Sequence, residues 1–150
     1  MKLDFRPVTQ NNRNEIEQLQ VHPVQMDYIE SVPECLAEAD TDDAWKAVGI
    51  YDGRMLVGFA MYGYFCSPQS EGQVWLDRIL IDKTYQGKGY GKASVRALLK
   101  KLCREYGCHK IYLSVYDVNK PAIGLYHKAG FHFNGELDTK GERIMVYNAP

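Results

Sequence analysis

Residues 85–92 read Tyr85-Gln86-Gly87-Lys88-Gly89-Tyr90-Gly91-Lys92, or YQGKGYGK. Three glycines alternate with large side chains, between an apolar run that ends at Ile81 and a helical pattern that follows. Glycine admits φ > 0 and lacks the Cβ that blocks close approach. At a strand-to-helix turn, the first N–H groups of the helix have no intrahelical partner, and its dipole is positive there. Such a turn suits an anion, phosphate above all, and Lys88 and Lys92 add charge. Two familiar phosphate motifs fail on spacing. A G-x-x-x-x-G-K-[ST] loop would need Ser or Thr where Ala93 stands and Gly where Gln86 stands. A G-x-G-x-x-G fingerprint would need Gly at Lys92 or Ser94. What remains is Q-x-x-G-x-G, on Gln86, Gly89 and Gly91. A glycine-rich turn without a ligand has the same composition, so the turn alone leaves the question open.

The flanking pattern is that of one mixed domain over residues 1–150. Residues 2–8 read as a strand. Asn11 or Asn12 caps a short helix carrying Ile16, Leu19 and Gln20, and a second helix runs over about 33–40 with Pro33 near its start. Residues 47–51 and 55–65 read as strands joined by an Asp-Gly turn, followed by a loop over 67–72 and a strand over 73–81. After the glycine turn, Val95, Leu98, Leu99, Leu102, Cys103 and Tyr106 recur at steps of three and one, an amphipathic helix stopped by Gly107. Residues 110–116 form a strand, Asn119 and Pro121 open a helix to Gly130, and 131–137 with 144–147 close the chain as a hairpin. The order is β-α-α-β-β-β-α-β-α-β-β: an α/β class, a mixed sheet flanked by helices.

Composition narrows the function. The chain of 150 residues is 45% apolar and 25% charged, which suits a globular domain. The start, MKLDFRPVTQ, has no apolar signal core, no stretch approaches the ~18–20 apolar residues of a membrane span, and the four cysteines make no C-x-x-C pair. A reduced, cytoplasmic protein with no membrane partner and no metal is expected. Net charge is only −1 but uneven: residues 1–43 hold ten acids against three bases, and residues 83–110 hold eight bases against Glu105 alone. One region favours a polyanion and another a cation. A nucleic-acid partner is not expected, because the basic face lacks interleaved aromatics.

The strand before the turn, the turn itself and the segment VYDVNKPAIGLYHKAGF together resemble the GCN5-related N-acetyltransferase (GNAT) superfamily. Its [QR]-x-x-G-x-[GA] signature is met by Gln86 to Gly91. A second signature, an Asn with Tyr seven residues on and then Gly-Phe, is met by Asn119, Tyr126 and Gly130-Phe131. The element order is also that family's, and the resemblance covers essentially the whole chain. It implies acetyl-CoA as cosubstrate. Main-chain amides of Gln86, Gly87, Lys88, Gly89, Tyr90, Gly91 and Lys92 would hold the pyrophosphate, Ile79, Leu80 and Ile81 the thioester and pantetheine, and Asn119 the pantetheine arm. Asn119 is also placed to cap its helix.

Acetyl transfer to an amine has its own demands. An alkylamine titrates near ~10, so neutralising it at pH 7 costs about 4 kcal/mol. The oxyanion needs donors, and the leaving thiolate benefits from a proton. On its helix alone, Tyr126 reads first as a core aromatic beside Ala122, Leu125 and Ala129; the family spacing reverses that, and the resemblance implies Tyr126 as the acid. Asp77 is the candidate base. It interrupts the apolar run VWLDRILID, where an acid must be solvated, paired or functional. Arg78 is adjacent, but neighbouring strand residues face opposite ways, which makes it a poor partner. Polyamine acetyltransferases of the superfamily carry Glu nine residues before the [QR], and Asp77 stands there. One methylene shorter, it is expected to act through a water.

The acceptor is read from the acidic segment VQMDYIESVPECLAEADTDD. Carboxylates at Asp27, Glu30 and Glu34 suit a chain of ammonium groups, and Tyr28 and Trp75 offer cation–π contacts. The runs QMDYIES, VGFAMYG, VWLDR, YQGKGYGK and FNGELD are similar to the Bacillus-type spermine/spermidine acetyltransferases, which implies a polyamine acceptor. Other small amines (an aminoglycoside, an amino acid), a protein N-terminus, and a non-catalytic acetyl-CoA sensor are the alternatives. A homodimer through the C-terminal hairpin is a further expectation.

Overall fold

The structure is a computed structural model, and it describes residues 1–25, 30–67 and 70–150. Its elements are β1 (Leu3–Pro7), α1 (Arg13–Glu17), α2 (Val32–Thr41), β2 (Trp45–Asp52), β3 (Met55–Ser67), β4 (Ser70–Ile81), α3 (Tyr90–Tyr106), β5 (Lys110–Val115), α4 (Lys120–Ala129), β6 (Phe131–Leu137) and β7 (Arg143–Asn148), with single 3-10 turns at Pro23–Gln25 and Lys83–Tyr85. The order expected from the sequence is the order found. One seven-stranded sheet runs β1-β2-β3-β4-β5-β7-β6, and only the β4–β5 pair is parallel.

Two cores explain the layers. Val95, Leu98, Leu99 and Leu102 of α3 pack with Ile123 of α4 on Val48, Val57, Tyr62, Val74 and Leu76 of the sheet. On the other face, Ile16 of α1 and Val32, Cys35 and Leu36 of α2 cover Phe59, Met61 and Leu80. Each fully buried aliphatic side chain contributes about 1.5–3 kcal/mol. The apolar steps of α3 therefore anchor the helix that follows the glycine turn. Gly107 ends it in the left-handed region, φ 59°.

Local details differ from expectation in three places. The first helix stops at Glu17, so Leu19 and Gln20 lie beyond it, and Asn12 makes no cap hydrogen bond; its Oδ1 instead accepts from Thr9 N–H at 2.7 Å. The loop expected over 67–72 is mostly strand: Ser67 pairs with Ser70 across the turn. Polar strand ends pair through their backbones, which side-chain hydropathy does not report.

The third difference positions the site. Opposite β3, Met61 pairs with Arg78 and Tyr62 with Leu76, so Asp77 is an extra residue in β4. Such a bulge breaks the alternation of side chains. Before it, Val74 and Leu76 enter the α3 core; after it, Ile79 and Ile81 do. Asp77 and Arg78 consequently share one face, which overturns the expectation that they point apart. Immediately before the bulge, β4 parts from β5. The two pair only at Val74–Ile111 and Trp75–Tyr112. Beyond Trp75 they splay and leave a cleft.

Candidate active site

The cleft holds a cavity of about 280 Å³, lined by Asp77 to Ile81 of β4, Ser114 and Val115 of β5, and Asn119, Ala122, Leu125 and Tyr126 around α4. Gln86, Gly87 and Gly91 close its other end. Nine of the residues expected at the site therefore meet in one place: Asp77, Ile79, Leu80, Ile81, Gln86, Gly87, Gly91, Asn119 and Tyr126.

The glycine turn is built for close approach. Gly87 and Gly89 sit at φ 77° and 89°, in the left-handed region. The first bond of α3 is Ala93 N–H to Gly89 O at 3.1 Å, so the N–H groups of Tyr90, Gly91 and Lys92 have no helical acceptor. The Gln86 side chain braces the turn: its amide donates to Ile81 O at 2.9 Å and to Gln25 Oε1 at 3.0 Å, and Gln25 Nε2 donates back at 3.3 Å. Lys88 and Lys92 are exposed at the rim, and Lys88 Nζ lies 5.7 Å over the Tyr85 ring. The Tyr90 side chain turns inward and donates to Asp52 Oδ2 at 2.6 Å, so only its main chain faces an incoming anion.

The candidate acid and base differ in their surroundings. Burial pushes the Tyr126 phenol up to about 12, with Arg78 pulling the other way, and the ring stands edge-on to Phe131 at 5.7 Å. The hydroxyl keeps its proton at any working pH. Asp77 Oδ2 is buried without a hydrogen-bond partner. Burial raises its carboxyl, Glu38 and Glu30 push the same way, and Arg78 and Lys140 oppose. Arg78 is the hub of this corner. It donates to Glu30 Oε1 at 2.7 Å and to the Asp77 carbonyl at 2.7 Å, while its contact with Asp77 Oδ2 is a looser 3.5 Å. Burial alone would raise Glu30; the pull of Arg78 and Lys140 carries it below its ordinary value. Asn119 occupies the N-cap of α4 but makes no capping bond with its side chain, which leaves the amide free for the cavity it lines.

The acceptor wall changes in composition. Glu34 is occupied in a capping box: Ser31 Oγ donates to its carboxylate at 2.8 Å, and Glu34 N–H donates to Ser31 Oγ at 3.3 Å. Trp75 stacks on Tyr112 at 5.3 Å and donates to Gln73, away from the cavity lining. Asp27 and Tyr28 lie outside the described residues. Glu30 remains, beside Arg78. The sequence reading missed Arg78, Gln25 and Glu142, all of which line the cavity. The Ser31-x-x-Glu34 pattern was a readable capping signal for Glu34.

A splayed parallel strand pair, a glycine turn at a helix N-terminus, and a phenol and a carboxylate lining one cleft are the features the acyl-transfer resemblance implied. The chain belongs to the acetyltransferase (GNAT) family, whose pattern matches residues 9–131, and it is an acyltransferase. It is 47% identical over 149 residues to the Spermine/spermidine N(1)-acetyltransferase of Bacillus subtilis (strain 168), covering 97% of this chain and 98% of that one. Among solved structures, a spermidine N-acetyltransferase from Vibrio cholerae in complex with CoA and spermine superposes with a TM-score of 0.72 at 22% identity, over 97% and 95% of the two chains. Aminoglycoside acetyltransferase AAC(6')-Ib with coenzyme A and kanamycin superposes with a TM-score of 0.81 at 19% identity, over 98% and 95%. The last two share the fold. Among the described residues no helix is long and apolar enough to cross a membrane.

Proposed function

We propose that this protein transfers the acetyl group of acetyl-CoA to a primary amine of a polyamine, spermine or spermidine. The observation that carries the reading is the buried, unpartnered Asp77 carboxylate sharing one cleft with Tyr126, in a chain that matches a spermine/spermidine acetyltransferase over nearly its whole length.

The residues divide the work. The N–H groups from Gln86 to Lys92 receive the pyrophosphate, and the β4 edge at Ile79 to Ile81, freed by the splay, offers main-chain donors and acceptors to the pantetheine and thioester. Asn119 adds an amide along the arm. Asp77 takes the proton of the entering ammonium through a water, and its raised affinity for protons suits the task. The amine nitrogen then bonds to the acetyl carbon as the carbon–sulfur bond breaks, and the nitrogen's second proton ends on the sulfur, so that CoA leaves as the thiol. Tyr126 donates to the departing sulfur. A phenol near 12 does not hand its proton fully to a thiol of about 8.5. Its share is a hydrogen bond that strengthens as charge grows on sulfur. Glu30 supplies the negative field along the acceptor's path.

The test is CoA release from acetyl-CoA with spermine, spermidine, putrescine, an aminoglycoside, lysine and a short peptide. Saturable turnover with polyamines alone is expected. Turnover only with another amine would keep the acetyl-transfer chemistry and discard the polyamine. Tight acetyl-CoA binding with no turnover would favour a sensor.

A further inference from the structure

Glu142 lines the same cavity as Asp77 and Tyr126, yet it belongs to neither family signature. It is 9% exposed; its side chain shares a hydrogen bond with the Asp138 carboxyl, and among the described ion pairs none brings a cation to it. The turn before β7 aims it. Asp138 N–H donates to Glu142 O at 2.8 Å, Asp138 Oδ1 accepts from the N–H groups of Lys140 and Glu142, both at 2.8 Å, and Gly141 N–H donates to Asp138 O at 3.1 Å. Gly141 takes φ 81°, which favours glycine. Two carboxyls held this close, in a buried corner and without a cation between them, cannot both ionise cheaply unless a positive group arrives to pair them.

We infer that Glu142 is an acceptor-binding residue: its carboxylate receives the alkylammonium group that enters the cleft, on the side of the cavity contributed by the β6–β7 turn. The surrounding charges support this. The carboxyls that act on this corner are Asp77, Glu30, Glu38, Asp138 and Glu142; the cations are Arg78 and Lys140. Arg78 hydrogen-bonds Glu30, and Lys140 Nζ sits 3.4 Å from the same carboxylate. Both cations are committed to Glu30, so the negative charge around Glu142 is open to an ammonium. Asp138 and Glu142 also diverge. Burial raises both, but hydrogen bonds from the N–H groups of Glu142 and Lys140 and from the Ser114 and Glu142 side chains carry Asp138 below its ordinary value, whereas the hydrogen bond and the charge of Asp138 push Glu142 further up and Arg78 and Lys140 only partly offset this. The pair thus favours a proton on Glu142, shared toward Asp138, and an ammonium that binds there displaces that proton.

The inference rests on the acetyl-transfer reading, and the test separates the two. Parent enzyme is first run against the amine panel, and Glu142→Gln and Glu142→Asp are then compared with it on the amine that the parent acetylates best. For Glu142→Gln, the acceptor KM should rise on the order of 10- to 100-fold, the range for a lost charge-assisted hydrogen bond. The acetyl-CoA KM should stay within about two-fold. Glu142→Asp should recover part of the acceptor affinity. The acid limb of kcat/KM for the acceptor should steepen less in Glu142→Gln, because one of its two carboxyls, Asp77 and Glu142, is gone. A parent-like acceptor KM in Glu142→Gln overturns the inference. So does a matching loss of acetyl-CoA affinity, or a loss that Glu142→Asp does not relieve, since either makes Glu142 structural. Failure of the parent on polyamines, with turnover of another amine, removes the polyamine reading and leaves Glu142 to be judged on that amine. No turnover of any amine removes both.

Discussion

Replacing Asp77 by Asn should make this protein more stable while nearly abolishing its activity. The Asp77 side chain is 22% exposed, its Oδ2 has no hydrogen-bond partner, and the nearest cation, Arg78, lies 3.5 Å away and hydrogen-bonds elsewhere. Burial, the largest influence, raises its carboxyl above the ordinary 3.8. A carboxyl raised in the folded state favours folding when protonated. That contribution is complete below the unfolded value and is lost as pH rises through the folded one. At pH 8 the parent carries the full cost of a poorly paired buried charge; Asn does not. An unsatisfied buried polar atom costs ~1–3 kcal/mol. The new amide has no ready acceptor and Arg78 loses an ion contact, so the gain sits at the low end, about 1 kcal/mol, or ~2–4 °C in Tm for a chain of this size. Calorimetric melts from pH 4 to 8.5 would measure it. The gap between variant and parent should be small at the acid end and open as pH rises. Turnover at pH 7 should fall by ~10²-fold or more, with the optimum displaced to alkaline pH where more amine is already neutral. A variant less stable than the parent at pH 8, or a gap that does not change with pH, would refute the account of Asp77.

Tyr126→Phe should lower kcat by ~10²-fold and leave acetyl-CoA binding nearly unchanged; equal loss of both, read by titration calorimetry, would make the ring structural. At Gly91 an added Cβ would meet only Leu125 Cδ2, at an ordinary 3.6 Å. Gly91→Ala should therefore fold with a parent-like Tm while raising the acetyl-CoA KM, because that Cβ enters the cavity lining; an unchanged KM would separate this glycine from the cofactor. Glu34→Ala removes the capping box of α2 and should cost about 1 kcal/mol of stability with no change in acceptor KM, whereas a raised acceptor KM would return Glu34 to the acceptor path. Lys140→Met frees one face of Glu30, from which Lys140 now sits 3.4 Å away, and should lower the polyamine KM about two- to five-fold, as expected for a mostly exposed pair; a raised KM would show that Lys140 serves the acceptor itself.

Much of the site was legible because its parts are local. A helix N-terminus after a glycine turn and an asparagine one position before a helix are properties of short stretches, and Gln86, Gly91 and Asn119, which line the cavity, could be singled out that way. The family spacing then singled out Tyr126 from its apolar stripe. Glu142 was not legible for the opposite reason. In TKGERI it reads as one more charge in a polar turn, and only the pairing of β6 with β7 carries it back over the cleft. Trp75 was expected to offer the acceptor a cation–π face; on the strand it lies two positions, ~6.5 Å, from Asp77, and its ring stacks on Tyr112 instead.

The bulge at Asp77 is the hardest feature to read and the one on which the site depends. Along Val74-Trp75-Leu76-Asp77-Arg78-Ile79-Leu80-Ile81, the residues entering the α3 core are 74 and 76, then 79 and 81. The step of three is the bulge's trace, but a run so apolar hides it, since Trp75 and Leu80 fit either register. Strict alternation would send Arg78 into the apolar α3 core, with no partner for a charge that burial penalises heavily. The extra residue turns Arg78 to the α2 side, where Glu30 meets it at 2.7 Å. The same displacement brings Asp77 alongside, close enough to feel the guanidinium and too far to be neutralised by it. The role of base proposed for Asp77 needs that intermediate position. Tightly paired, Asp77 would hold no proton; wholly alone, it would rarely be charged. One inserted residue sets the distance.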